Sequence, residues 1–139
     1  MRTLILIFSL IIIFCLSGCM GDAHYEQLKA GYYLSATDTK EDMVLGYQDG
    51  EYGIGIIDAM VFAVGQNDSF IILKQHPRDF PNESNKAVTN YYIIPIKDRI
   101  SKSPEKNFYG PLTSEIFEQK RNELGLQNVD FTIIFKDIE

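Results

Sequence analysis

Two histidines and two cysteines are all that 139 residues supply of the usual zinc ligands. Zinc centres draw several ligands from those two residue types, so none is expected here. A calcium loop would place Asp at alternate positions around a central Gly. Asp49-Gly50-Glu51 lacks that series and reads as a solvated turn. No G-x-S-x-G elbow and no Walker sequence occurs. Gly53-Ile54-Gly55 has neither the third glycine nor the following helix of a dinucleotide fingerprint, and reads as a bend in or between strands. No cofactor is expected. Cations are also scarce, with 13 Lys+Arg against 19 Asp+Glu and a formal charge of −6. Nucleic-acid binders use clustered cations to release counterions, so no nucleic-acid partner is expected. Hydrophobic residues at 45% and charged residues at 23% exclude wholesale disorder, and the length allows one domain.

Charge is missing altogether between Thr3 and Gly21. Arg2 and the terminal amine precede an apolar run from Thr3 to Leu16, which the small residues Ser17 and Gly18 close. A positive start, an apolar middle and small residues at the cut are the layout of a secretory signal. At about 1.5 Å per residue a helix of this run is about 21 Å long, short of the roughly 30 Å hydrocarbon core. An uncleaved anchor and an ordinarily secreted protein are the competing readings.

Leu16-Ser17-Gly18-Cys19 resembles the lipobox of bacterial lipoproteins. The resemblance implies that Cys19 receives a diacylglyceryl group and that a peptidase cleaves just before it, recognising Leu16, Ser17 and Gly18. The expected organisation is then a signal peptide at 1–18, a lipidated cysteine and tether at 19–30, and one β-rich domain at 31–139. Cys15 would leave with the signal and Cys19 would carry lipid, so no thiol remains for a disulfide. The mature chain would hold 12 basic against 19 acidic side chains. Anionic headgroups repel such a domain, leaving the acyl chains to hold it. The expected location is the cell membrane or the outer membrane, facing away from the cytoplasm.

Beyond a short polar tether, strands are expected at 31–36, 43–47, 56–64, 69–75 and 89–96, with a last one at 129–135. The third and fourth read as a hairpin across Gly65-Gln66-Asn67-Asp68. Pro95 suggests an edge or a strand end. Residues 97–110 are polar and turn-rich. One helix follows, with Thr113 as N-cap, Leu112 and Phe117 as a hydrophobic staple, and Gly125 as a left-handed stop. Ile116, Phe117 and Leu124 are expected on its buried stripe. The fold class is α+β, a mostly antiparallel sheet with one helix packed on it.

The segments GYYLSAT, FAVGQNDSFIILKQHP, TNYYII and YGPLTSEIFEQKRNELG, in that order, resemble a family of small uncharacterised bacterial lipoproteins, a domain of unknown function. That resemblance implies no catalytic residues.

His24 lies in the tether and is expected in solvent. His76 opens a Pro-containing loop with Arg78, Asp79 and Glu83 nearby, the one neighbourhood where acid–base chemistry is conceivable. Tyr32-Tyr33 and Tyr91-Tyr92 each place one ring inward and one outward on a strand. Outward rings offer a contact surface for an envelope protein or a glycan, or simply cross-strand packing. The leading expectation is a non-catalytic interaction module held on a membrane by lipid. The alternatives are an envelope enzyme around His76 and Asp79, and a small-ligand carrier with an apolar cavity between sheet and helix.

Overall fold

In the computed structural model, residues 24–78, 84–96 and 107–139 are described. The expected signal, Cys19, Asp79 and Glu83 lie outside them. The first half of the chain alternates apolar and polar residues between short turns, and it forms an antiparallel meander of four strands. These are β1 (His24–Gln27), β2 (Tyr32–Ala36), β3 (Val44–Asp49) and β4 (Tyr52–Ile57), paired in that order. The second half carries nearly continuous apolar runs, the pattern of strands covered on both faces. It gives β5 (Val61–Gln66), β6 (Phe70–Gln75), β7 (Asn90–Pro95), β8 (Tyr109–Leu112) and β9 (Ile133–Ile134). Their order across the second sheet is β8-β7-β6-β5-β9, all antiparallel.

Helix α1 (Ser114–Glu123) covers the outer face of the second sheet. The second sheet is therefore the middle of three layers. Alternation along β6 shows this directly. Ile71 and Leu73 join the core between the sheets with Leu34 and Leu45, whereas Ile72 joins Ile93 and Phe117 beneath the helix. The fold is α+β, with antiparallel sheets and one helix in the C-terminal half.

Local chemistry explains most of the boundaries. The expected hairpin is β5–β6, and its turn is an Asx turn: Asn67 Oδ1 accepts from the Ser69 and Phe70 amides, each at 2.8 Å. Thr113 Oγ1 accepts from the Ile116 amide at 3.4 Å and starts α1. Gly125, at φ +69, ends it, and the Leu126 amide then donates to the Arg121 carbonyl at 2.8 Å.

Several elements differ from the sequence reading. The expected strand 56–64 is the end of β4 and the start of β5, in different sheets. Between them Asp58, Ala59 and Met60 carry the chain across, with Met60 in the left-handed region at φ +73. Residues of the expected tether form β1, and Leu28 is buried, because an edge strand needs backbone pairing more than apolar side chains. β8 begins inside the stretch 97–110 that reads as turn-rich, and its edge position tolerates Pro111, which has no N–H. The expected last strand shrinks to β9, although the Thr132 and Phe135 amides still donate to Val64 and Phe62 of β5. Gly65 lets that segment approach, since a Cβ there would overlap the Asp130 carbonyl. Ile116 is 48% exposed and leaves the expected stripe, while Leu126, beyond the cap, takes a buried place beside Phe117.

Candidate functional site

The crossover between the sheets gathers the buried polar groups. Gln75 and His76, at the end of β6, are 5% and 3% exposed. Gln75 follows Ile71 and Leu73 at strand spacing, so its amide points into the core between the sheets. Its Nε2 donates to the carbonyls of Asp58 and Ala59 at 3.2 and 3.1 Å. Its Oε1 accepts from the Tyr92 hydroxyl at 3.2 Å and from Asn90 Nδ2 at 3.4 Å. Every hydrogen-bonding position of this amide is filled. Burial raises the Tyr92 phenol above its ordinary value of 10.0; the Asn90 hydrogen bond opposes this and the Asp58 charge adds to it.

His76 continues the same belt. Its amide donates to the Met60 carbonyl at 3.1 Å, fixing the left-handed residue. Its ring stacks on Phe62 with centroids 4.3 Å apart and planes at 16°, and Nδ1 lies 2.8 Å from the Val88 carbonyl. With Nδ1–H donating to that carbonyl, Nε2 is an acceptor, and it is buried without a partner. The arrangement pins the start and the end of the loop 76–88 together. Arg78, expected beside His76, instead pairs with Asp42 at 3.1 Å.

His24 is not in free solvent. It stands in β1 with its ring edge-on to Phe135 at 5.3 Å, and Nε2 is 3.6 Å from Glu26 Oε2.

The tyrosine pairs split as the strand parity requires, with Tyr32 and Tyr92 buried and Tyr33 and Tyr91 only partly so. The two outward rings meet different fates. Tyr91 is covered by α1 and packs against Phe117 at 4.8 Å. Tyr33 faces away from the core on the side of the first sheet that no other described element covers, stacked with Tyr25 of β1 at 5.4 Å. Its ring lies across β3 and β4, where a Cβ at Gly46 or Gly53 would overlap it. Gln27, Ser35, Val44 and Gln48 share this face by strand register, and none of its side chains is charged.

Two surface hollows accompany these features. One of about 310 Å³ is lined by Glu41, Met60, Arg78, Ser84 and Lys86. Another of about 430 Å³ runs between residues 87–91 and 111–114. Both open to the surface. Among the described residues no group of three or more His, Cys, Asp and Glu is placed to hold a metal ion, and no helix is long and apolar enough to cross a membrane.

Fold and site together define a two-sheet α+β module whose buried polar groups tie its sheets and loops together. The sequence profile of the family described as "Protein of unknown function (DUF3997)" matches residues 29–139, and the chain belongs to that family. No curated protein and no solved structure matches it.

Sequence reasoning placed His76 in the one neighbourhood with chemical potential but missed Gln75. The available signal was its parity: a polar residue on the same strand face as Ile71 and Leu73.

Proposed function

We propose that this chain is a bacterial lipoprotein, held on a membrane of the cell envelope by lipid on Cys19, that presents a non-catalytic interaction module. The carrying observation is the run Leu16-Ser17-Gly18-Cys19 closing an apolar, uncharged segment. The thiol of Cys19, on losing its proton, is the nucleophile that forms a C–S bond to the diacylglyceryl group of a phospholipid as the C–O bond to the phosphate headgroup breaks and the headgroup leaves. The small side chains of Ser17 and Gly18 leave the backbone open to the peptidase. Two or three acyl chains at about 0.8 kcal/mol per buried methylene make attachment lasting, where one would be marginal.

The polar chemistry of the domain supports a module rather than an enzyme. Gln75 spends its whole amide on the crossover, and the His76 ring has one face against Phe62 and Nδ1 on the Val88 carbonyl. The open, uncharged tyrosine face is the surface suited to contact. Growth with labelled palmitate tests the anchor. The native chain incorporates label, and Cys19→Ser abolishes it and accumulates the longer precursor; a labelled Cys19→Ser product contradicts the proposal.

A further inference from the structure

The uncovered face of the first sheet has no counterpart elsewhere in the described fold. The inner face of that sheet and both faces of the second are packed. Here Tyr25 is 62% exposed, and a Cβ at Gly55 would meet nothing. A chain with 19 acidic side chains leaves this face without a charge, while α1, on the opposite side of the molecule, carries Glu115 and the ion pairs Glu118–Arg121 and Glu123–Lys120.

The covalent anchor sets the distance. Cys19 precedes Tyr25 by six residues. Fully extended at about 3.3–3.6 Å per residue, they reach about 22 Å at most. The described residues begin with β1, an edge strand of this very sheet. A domain tethered so closely has one side turned to the bilayer for much of the time. Acidic surfaces are pushed away from anionic headgroups, and the uncharged face is the side that escapes that repulsion. Tyrosine suits the headgroup layer, with an apolar ring and a hydroxyl that stays hydrated. The amides of Gln27 and Gln48 add neutral hydrogen-bonding groups around the rings.

We infer that the Tyr25–Tyr33 face rests on the headgroup layer of the bilayer that holds the anchor, orienting the domain with α1 outward. The inference builds on the lipid attachment at Cys19 and adds an orientation to it.

The chain contains no tryptophan, so a single substitution supplies a unique reporter. The full lipid-anchored chain is reconstituted in vesicles of phosphatidylcholine and anionic phosphatidylglycerol as Tyr25→Trp and, separately, as Tyr109→Trp on β8. Mass spectrometry of each sample reads the lipid on Cys19. The Tyr25→Trp emission shifts to the blue and loses most of its intensity to lipids brominated near the headgroup, while the Tyr109→Trp emission keeps its intensity. On the unsubstituted chain, vesicles protect Tyr25 from nitration and leave Tyr109 reactive. Equal quenching of the two variants, or none in either, with the lipid present on Cys19, overturns the orientation and leaves the anchor standing. An unlipidated Cys19 overturns both. Protection of Tyr25 by a soluble glycan but not by vesicles gives the face to a glycan and also overturns the inference.

Discussion

The ring of Tyr33 occupies the space that a side chain at Gly46 would need on the neighbouring strand. The two are directly paired, so the glycine is required by the tyrosine rather than by a turn. Gly46→Val forces the ring off the sheet, and overpacking of this kind costs about 1–3 kcal/mol. In a Tyr33→Ala background the same substitution costs much less, because the obstructing ring is gone. Urea unfolding of the four chains measures the coupling; additive losses would contradict it.

Gln75→Met keeps the volume of the side chain and removes its amide. The Asp58 and Ala59 carbonyls then lose the amide that donates to them, and the Tyr92 hydroxyl loses its acceptor while keeping its hydrogen bond with Asn90. Unsatisfied buried groups cost about 1–3 kcal/mol each, so the expected loss is at least about 2 kcal/mol. Chemical denaturation checks it. A change below 0.5 kcal/mol, the order of a neutral surface substitution, would mean that the crossover does not depend on this amide.

Beneath the helix, Phe117 is fully buried between Ile72 and Ile93, and Phe117→Ala should cost about 3–5 kcal/mol. Its neighbour Ile116 is half exposed, and Ile116→Ala should stay within about 0.5 kcal/mol. Melting temperatures of the two variants separate these outcomes.

Much of this was legible because it is local. Asn67 and Gly65 announce the β5–β6 hairpin, and Thr113, Leu112, Phe117 and Gly125 bracket α1 before any tertiary contact is known. What was hidden depends on partners distant in the chain. Residues 56–64 read as one strand since both ends are apolar, and only the second sheet tells Ile57 from Val61. β1 has an ordinary polar sequence, and its pairing with β2 alone makes it a strand. The two-sheet arrangement was not in the reading at all. Of the candidate site, parity required one outward ring in each tyrosine pair but did not say that it is Tyr33, and the cover that α1 places on Tyr91 was not legible.

Titration gives a further check. Backbone and Thr113 hydrogen bonds hold Glu115 below its ordinary value of 4.5; Lys120 and Gln119 do the same for Glu123. Lys40 holds Asp137 below 3.8. For carboxylates depressed in the folded state, the stability they add is present above the unfolded value and is lost as pH falls through the folded one. The melting temperature should therefore fall as pH drops below about 4.5, and Glu115→Gln should flatten that fall. Tyr92 has the opposite sense. Its phenol is raised by burial, so its contribution is complete below pH 10.0 and is lost as pH rises through the folded value. Tyr92→Phe should show a weaker alkaline loss in thermal melts between pH 9 and 11.

The most direct measurement is the intact mass and N-terminal sequence of the protein extracted from its native membrane. The account predicts a chain beginning at Cys19, heavier than its 121 residues by at least a diacylglyceryl group. A chain that still carries residues 1–18, or one that starts with an unmodified Cys19, would contradict it.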